Sequence, residues 1–486
     1  MGKHLELKDT SSFFYSSLTL QNEFQSLEDI ISWFDQKKKE ERFVVNEIPF
    51  SKLEQWYFTD ERKSLVHKSG KFFRIEGIHV RTNFGKVNEW EQPIINQPEI
   101  GILGILTKVI HGVRYFLMQA KMEPGNINVL QLSPTVQATK SNFSRVHQGK
   151  LPAYLEYFID PAKSKVLIDQ LQTEQGGRFF KKRNRNIVVE VTPEIELLPD
   201  FRWLTLGEIK KLLLMDNFVN MDARSVISTI PLVDDSVIST LQNKTLNGTI
   251  NIADIQLSGF GLDLLASVCA NGSGYKTKDE IISWYTGQKV NYELVTEVIP
   301  LSKLSTWSIT NQNIYKSDRF FSVIAVQVIA RTREVSAWTQ PLIKDLNIGL
   351  LGIILKKING IIHFLIQAKV EPGNLDIIEL SPTVSCSNFD HVKTNQDMKP
   401  SFIDYFDGTR KVELLFDVLL SEEGGRFYHQ QNRNMMVLVD EHEQIEIPSN
   451  YTWMTLNQIM DFMKYGMFNI EARSLISIIY FNMHSL

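Results

Sequence analysis

The chain repeats itself, and this internal repeat constrains the fold more than any other feature of the sequence. QAKMEPGN, which starts at Gln119, returns as QAKVEPGN at Gln367. Other pairs follow in the same order, including PFSKLEQW and PLSKLSTW, LSPTV twice, EQGGRF and EEGGRF, and a closing ARSxIS in each half. A near-constant shift over roughly 200 residues is hard to obtain by chance. The sequence therefore predicts two similar domains, copy one at about 20–230 and copy two at about 260–482, joined by a polar linker near 231–259.

Composition excludes several classes of protein. A length of 486 residues suits two or three domains, and a net charge of −4 lacks the basic excess of most nucleic-acid-binding proteins. No apolar stretch reaches the length of a membrane span, and the N-terminus lacks the apolar core of a signal peptide. Only Cys269 and Cys386 are present, which excludes a disulfide scaffold and a CxxC zinc site. We therefore expect a cytoplasmic protein without nucleic-acid or membrane partners.

Each copy mixes helices and strands in the same order, so the predicted fold class is α+β. A helix is expected around Trp33 and Trp284, followed by a hairpin that turns at His111-Gly112 in copy one and Asn359-Gly360 in copy two. Apolar residues three and four apart in SKVLIDQLQTE and RKVELLFDVLLSEE predict a second helix, ended by a Gly-Gly pair. A basic stretch, a strand and a final helix complete each copy.

The motifs QAKxEPGN, LSPTVQATKSNF, YLEYF (Tyr154–Phe158) and GGRF, in this order, resemble the NDP-hexose 2,3-dehydratases of deoxysugar biosynthesis. The resemblance covers nearly the whole chain and includes the duplication. It implies a tandem of two Nudix-like α/β modules, sugar-nucleotide pockets in each module, and a homodimer. It also implies a lyase that removes water across carbons 2 and 3 of dTDP-4-keto-6-deoxyglucose, giving a 3,4-diketo-2,6-dideoxy sugar nucleotide. That reaction has no redox change, so no cofactor is expected.

The Nudix analogy can be tested on the sequence, because a working Nudix box holds magnesium with carboxylates spaced along a helix. In copy two Val418 and Leu419 stand where the box needs Arg and Glu, and Leu171 takes the Glu position in copy one. Copy one keeps a single box carboxylate, Glu174, and copy two keeps the pair Glu422–Glu423. The sequence therefore predicts no metal site and no magnesium pyrophosphatase activity.

The implied reaction needs a base for the proton on carbon 3, which the ketone at carbon 4 acidifies, and an acid for the departing hydroxyl. Glu123 and Glu371 are the candidate bases, because the Pro-Gly that follows each one ends its strand in a turn. Lys121 and Lys369, two residues earlier, are candidate partners in catalysis. The alternative is that each Glu only forms an ion pair with its Lys.

Three further groups in copy one are candidate proton donors. Tyr157 is the first of these, with Tyr405 at the corresponding place in copy two, and Tyr154 and His147 are the others. Each has an alternative role, because buried tyrosines often only pack and a histidine in a loop often only lies at the surface.

A nucleoside diphosphate needs fixed cations and a flat platform. Arg178 and Arg426 follow the Gly-Gly pairs, where guanidinium and backbone amides can hold phosphates, although an Arg there can also cap a helix. Trp56 and Trp307 are candidates for stacking on the base, with core packing as the alternative. The other predicted substrate contacts belong to the LSPTV and QAKxEPGN motifs: Ser133, Thr135, Val136, Gln137, Ala138, Thr139, Gln367, Ala368, Pro372, Ser381 and Thr383.

Two functions of different classes remain open from the residues alone. One is the dehydratase, and the other is a non-catalytic nucleotide-sugar binding protein on a degenerate Nudix scaffold. Turnover separates them. If the copies have specialised, the longer LSPTVQATKSNF loop, Tyr154 and His147 favour copy one as the site of chemistry, while a pocket built from both copies stays open.

Overall fold

The computed structural model describes residues 12–40, 42–139, 151–239, 257, 259–316, 321–330, 336–345, 347–394 and 399–482. His147 and most of the predicted linker lie outside these residues. Among the helices described, none is long and apolar enough to span a membrane.

Copy one combines strands with short helices. Its helices are α1 (Phe13–Leu18), α2 (Leu27–Glu40), α3 (Glu156–Ile159), α4 (Leu206–Leu212) and α5 (Met221–Ser228), with 3-10 turns at Phe50–Lys52 and Asp60–Arg62. Its strands are β1 (Phe43–Ile48), β2 (Trp56–Phe58), β3 (Leu65–His67), β4 (Arg74–Thr82), β5 (Glu89–Asn96), β6 (Gly101–Ile110), β7 (Val113–Met122), β8 (Leu130–Ser133), β9 (Val136–Ala138), β10 (Lys165–Thr173), β11 (Arg183–Glu190) and β12 (Phe201–Thr205).

Copy two repeats this order. Its helices are α6 (Gly259–Cys269), α7 (Lys278–Asn291), α8 (Phe389–Thr394), α9 (Leu456–Met463) and α10 (Ile470–Ile478), with 3-10 turns at Leu301–Lys303 and Ile403–Tyr405. Its strands are β13 (Leu294–Ile299), β14 (Ser308–Ile309), β15 (Asn313–Tyr315), β16 (Ser322–Ala330), β17 (Ala337–Lys344), β18 (Gly349–Ile358), β19 (Ile361–Lys369), β20 (Glu379–Ser381), β21 (Val384–Cys386), β22 (Glu413–Ser421), β23 (Phe427–Tyr428), β24 (Gln431–Val439) and β25 (Tyr451–Met454). The α+β class is confirmed, as are the helices around Trp33 and Trp284.

The two central sheets have the same topology. In copy one the order is β10-β11-β6-β7-β12, with β8 on β7 and β9 on β6. In copy two it is β22-β24-β18-β19-β25, with β20 on β19 and β21 on β18. Only one pair in each of these sheets, β6 with β11 and β18 with β24, is parallel. Equal topology in both halves agrees with the repeat in the sequence.

The predicted hairpins are confirmed, and their turns explain the sequence found there. β6 and β7 turn at His111 (φ 46°) and Gly112 (φ 87°), and β18 and β19 turn at Asn359 (φ 52°) and Gly360 (φ 78°). Two consecutive positive φ angles define the turn that matches the twist of a hairpin, and Gly and Asn adopt them at low cost. Each hairpin carries its candidate base just beyond its second strand.

The second predicted helix is wrong, because SKVLIDQLQTE and RKVELLFDVLLSEE form strands β10 and β22. The register shifts between Val166 and Ile168, and again between Leu414 and Phe416, where a bulge interrupts the pairing with β11 and β24. An extra residue in a strand breaks the strict alternation of buried and exposed positions, so these segments lack the period-two pattern that predicts a strand. The Gly-Gly pairs therefore lie in loops between two strands.

The copies exchange strands rather than standing side by side. β1 of copy one pairs with β16 of copy two, and β13 of copy two pairs with β4 of copy one. The exchange is reciprocal, as a pseudo-twofold relation between the copies requires. Each copy therefore completes a sheet of the other.

The closing ARSxIS motifs meet at the centre of the molecule. Arg224 of α5 donates through Nε to Ser474 Oγ at 2.9 Å, and Arg473 of α10 donates through Nη1 to Ser225 Oγ at 2.5 Å. Both guanidinium groups are buried, and both also donate to backbone carbonyls of the opposite copy. Because these buried donors bond to groups across the boundary, they fix the two copies against each other.

Candidate functional site

The two candidate bases lie at equivalent places beside the Gly-Gly loop of the opposite copy. Glu123 directly follows β7, and the amide of Gly125 donates to the carbonyl of Gly424 at 2.7 Å. In copy two, the amide of Gly373 donates to the carbonyl of Gly176 at 2.7 Å. A Cβ on Gly125 would lie 1.5 Å from the Phe427 carbonyl oxygen, so only glycine permits this approach. The EPGN motif is thus required for the contact between copies.

Two composite sites follow from this interlock. The Glu123 site consists of Lys121, Glu123 and Gln137 of copy one with residues 423–426 of copy two. The Glu371 site consists of Lys369, Glu371 and Ser385 of copy two with residues 175–178 of copy one. Each site draws its candidate base from one copy and its candidate phosphate-binding Arg from the other.

In the Glu123 site, one carboxylate oxygen is held and the other is free to react. Oε1 of Glu123 accepts a hydrogen bond from Gln137 Nε2 at 2.9 Å and lies 3.2 Å from Lys121 Nζ. Gln137 is itself oriented by Ser133, whose hydroxyl lies 3.2 Å from Gln137 Oε1. Oε2 is buried and has no hydrogen-bond partner among the described residues. A buried oxygen without a partner is a suitable acceptor for a substrate proton.

In the Glu371 site, the lysine approaches the carboxylate more closely. Lys369 Nζ donates to Glu371 Oε1 at 2.8 Å and to Ser385 Oγ at 3.1 Å. Burial alone would lower the pKa of Lys369, but Glu371 and then Glu471 raise it above its ordinary value. Ser385 occupies the position of Gln137 and cannot reach Glu371 as an amide does. The Glu371 carboxylate is therefore held in a closer ion pair than Glu123.

The two arginines differ in their partners although both follow Gly-Gly. Arg178 is half-buried beside Asp345, with 3.6 Å between Nη2 and Oδ2, and burial lowers its pKa. Arg426 instead donates through Nη2 to the amide oxygen of Gln97 at 3.0 Å. Gln97 and Asp345 occupy the same position of the repeat. The hydrogen-bond partner of Arg426 is therefore neutral where the ion-pair partner of Arg178 is a carboxylate, which leaves Arg426 better suited to an anion.

Two buried carboxylates near the bases were missed in the sequence. Asp222 in the first turn of α5 and Glu471 in the first turn of α10 are almost fully buried. Burial raises the pKa of both well above the ordinary range, with carboxylates including Glu123 acting on Asp222 and Glu371 acting on Glu471. The signal was available, since an acidic residue precedes ARS in both copies.

The predicted tyrosines lie in apolar clusters away from the bases. The Tyr154 hydroxyl donates to the Glu196 carbonyl at 2.7 Å, and the Tyr405 hydroxyl donates to Glu443 Oε1 at 2.7 Å. Tyr157 packs against the cluster around Tyr154, and within the described residues it makes no hydrogen bond to Glu123.

Several predicted substrate contacts lie in the core. Trp56 and Trp307 pack in one buried cluster, and Val136, Ala138 and Ala368 pack in others. The remaining members of the motifs are held by backbone or buried groups: Thr135 and Thr383 bond to strand backbone, Ser381 accepts from Asn469, and the Pro372 carbonyl accepts from Thr296. Gln367 and Thr139 are half-buried in and just after their strands.

The helix assumed for the Nudix box is not formed. Leu171 and Leu419 lie in β10 and β22, so the comparison of these positions with a box helix does not hold. Arg185 and Arg433, on the neighbouring strands, each form a two-pronged ion pair with Asp169 or Asp417. In the described part of the chain, no group of three or more His, Cys, Asp or Glu side chains is arranged to hold a metal ion.

Comparison with known proteins agrees with the resemblance found in the motifs. The family described as NDP-hexose 2,3-dehydratase matches residues 27–230 and again 278–479. A protein of Saccharopolyspora spinosa is 41% identical over 480 residues, 98% of this chain and 95% of its own length. A protein of Amycolatopsis orientalis is 38% identical over 459 residues, 93% of this chain and 90% of its own length. Both are named dTDP-4-dehydro-6-deoxy-alpha-D-glucopyranose 2,3-dehydratase.

Proposed function

The chain belongs to the NDP-hexose 2,3-dehydratase family, and from this membership we propose which of its residues carry out the reaction. It is a lyase that removes water across carbons 2 and 3 of dTDP-4-keto-6-deoxyglucose in deoxysugar biosynthesis. The observation that carries the residue assignment is the Glu123 carboxylate, which the Gln137 amide holds, whereas the corresponding Ser385 bonds to Lys369 and not to Glu371.

We propose that Glu123 is the base that removes the proton from carbon 3. The ketone at carbon 4 delocalises the resulting charge as an enolate, and a nearby cation stabilises it. Lys121 is placed for that role, since its ammonium lies 3.2 Å from Glu123 Oε1. Loss of the carbon 2 hydroxyl then gives an enol, and the enol rearranges to the 3,4-diketone.

We propose that Arg426 binds the diphosphate of the substrate in the Glu123 site. Its guanidinium lies over the Phe73 ring at 4.3 Å and is bonded to Gln97, so no carboxylate of the described residues lies within ion-pair distance of it. Arg178 holds the corresponding place in the Glu371 site, where Asp345 offsets its charge. We propose that the Glu371 site binds sugar nucleotide without turning it over, because the Glu371 carboxylate is held 2.8 Å from the Lys369 ammonium.

The finer features implied by the family remain proposals. We propose that each copy, at about 20–230 and 260–482, is a Nudix-like module and that the protein is a cytoplasmic homodimer. Equal mixed sheets in both copies support the first point, and two free cysteines, typical of a reducing compartment, support the location. Light scattering at several protein concentrations measures the oligomeric state. The molar mass of a monomer at every concentration would contradict the proposed dimer.

The function is tested by incubating the protein with dTDP-4-keto-6-deoxyglucose and following the products by mass spectrometry. We expect a product lighter than the substrate by one water. Binding of the sugar nucleotide without loss of water would instead identify a non-catalytic binding protein.

A further inference from the structure

The Glu123 site contains a second carboxyl group, contributed by the opposite copy. This second group is Glu423, and Gly425 lies between it and Glu123. A Cβ on Gly425 would lie 3.2 Å from Glu423 Oε1 and 3.8 Å from Glu123 Oε1. The two oxygens are therefore no farther apart than the sum of these distances. Because residue 425 is glycine, no side chain of that residue lies between the two carboxyl groups.

Glu423 is free to act on a ligand. Its side chain is half-buried, and among the described residues none forms a hydrogen bond or an ion pair with its carboxyl group. Asp222 is a less suitable candidate, because it is almost fully buried and has a counterpart, Glu471, in the other site.

The Glu371 site lacks this second group. Gln175 occupies the position of Glu423, and a Cβ on Gly177, the counterpart of Gly425, meets only Glu371, at 4.0 Å. An amide is neither a proton donor nor an acceptor in general acid-base catalysis. Both sites have a candidate base, but only the Glu123 site has a glutamate at the position of Glu423.

We propose that Glu423 is the general acid that protonates the departing hydroxyl of carbon 2, opposite Glu123, which removes the proton of carbon 3. This assignment rests on the proposed function. The bond from carbon 2 to oxygen breaks, the proton of Glu423 completes the water molecule, and the electron pair from carbon 3 forms the double bond. When the enol becomes the ketone, Glu423 takes the enol proton and carbon 2 receives the proton held by Glu123. Both carboxyl groups return to their starting states.

The protonation state agrees with this role. Burial raises the pKa of Glu423 to about 7, with Arg426 opposing the shift and Glu174 and then Glu123 adding to it. The charged and titratable groups facing Glu423 are Glu123, Glu174, Lys182, Asp222 and Arg426. The acid form is present below this pKa, so turnover that depends on Glu423 is expected to fall as the pH rises through about 7.

The test is Glu423→Gln, which places the residue of the Glu371 site in the Glu123 site. We expect kcat to fall by about 100-fold or more, while exchange of the carbon 3 proton in D2O continues because Glu123 is intact. Proton NMR of the recovered dTDP-4-keto-6-deoxyglucose measures that exchange. Glu413→Gln, an exposed change at the start of β22, is the matched control and should retain wild-type turnover.

The outcomes separate this proposal from the function itself. Full turnover in Glu423→Gln overturns the assignment, and so does loss of both elimination and exchange in a variant that still binds the sugar nucleotide. A wild-type protein that does not dehydrate the substrate contradicts the proposed function instead.

Discussion

The Glu123 site and the Glu371 site have the same backbone plan and different charges. Both place a glutamate after a hairpin strand, against the Gly-Gly loop of the opposite copy. Among the positions that differ in or beside the two sites are four pairs, each with the residue of the Glu123 site first: Gln97 and Asp345, Gln137 and Ser385, Glu423 and Gln175, Lys182 and Gln430. Because each copy packs against the backbone of the other, the backbone must stay the same in both copies. The side chains in the two sites can differ. Comparison of the two sites therefore separates what the fold requires from what the chemistry requires.

The largest effect should come from removing the proposed base. We expect Glu123→Gln to lose roughly 100-fold or more in turnover, the scale of general-base catalysis, because the amide cannot accept the carbon 3 proton. Glu371→Gln should change mainly ligand affinity. Steady-state kinetics on both variants, with circular dichroism to confirm folding, measures the difference. The opposite pattern would move the chemistry to the Glu371 site, and two fully active variants would make both glutamates structural.

The next effect concerns the diphosphate. Arg426→Ala should weaken binding of a dTDP-sugar by about 1.5–3 kcal/mol, the range for hydrogen bonds to charged groups. Arg178→Ala should weaken binding at the Glu371 site. Isothermal titration with dTDP, and the protection that dTDP-sugars give against heat, report these affinities. Unchanged affinity in both variants would show that neither arginine binds the diphosphate.

The cause of the difference between the arginines can be tested by Gln97→Asp, which gives Arg426 the partner that Arg178 has. A carboxylate there offsets the guanidinium charge, so KM should rise several-fold with a smaller change in kcat. Gln36→Asp adds the same charge at an exposed position of α2 and is the control. Equal KM values in the two variants would show that the neighbour of Arg426 does not set its affinity.

A smaller effect is expected from Gln137→Ser, which copies the Glu371 site. Loss of the amide hydrogen bond lets Lys121 approach Glu123 as Lys369 approaches Glu371, and a closer ion pair makes a weaker base. One hydrogen bond contributes about 1 kcal/mol, so kcat should fall about 5-fold. The acid limb of the pH profile should move to lower pH. Wild-type kcat with an unshifted profile would show that Gln137 does not position Glu123.

No effect is expected from chelation. In the described part of the chain no three His, Cys, Asp or Glu side chains are grouped to hold a metal ion, so turnover should survive EDTA. Turnover that EDTA abolishes and magnesium restores would contradict a metal-free site.

Part of the fold and of the candidate site could be predicted from the sequence, and there are physical reasons why the rest could not. The hairpins and their glutamates were predictable, because Asn-Gly turns and Pro-Gly after a strand are local signals. β10 and β22 were not, because a bulge in each interrupts the alternation of buried and exposed residues that predicts a strand. The hydrogen bond between Gly125 and Gly424 joins segments far apart in the sequence, so no local pattern of residues predicts it. Lys182 lies in the basic run KKRNR, which suggests a solvated face, yet it is buried.

We propose that elimination takes place in the Glu123 site, between residues of both copies. The most direct measurement is a crystal structure of the Glu123→Gln variant with dTDP-4-keto-6-deoxyglucose bound. We expect carbon 3 of the sugar about 3–3.5 Å from the side chain of residue 123, the carbon 2 hydroxyl facing Glu423, and the diphosphate against Arg426. A sugar ring bound in the Glu371 site, with the Glu123 site unable to take it, would contradict the account.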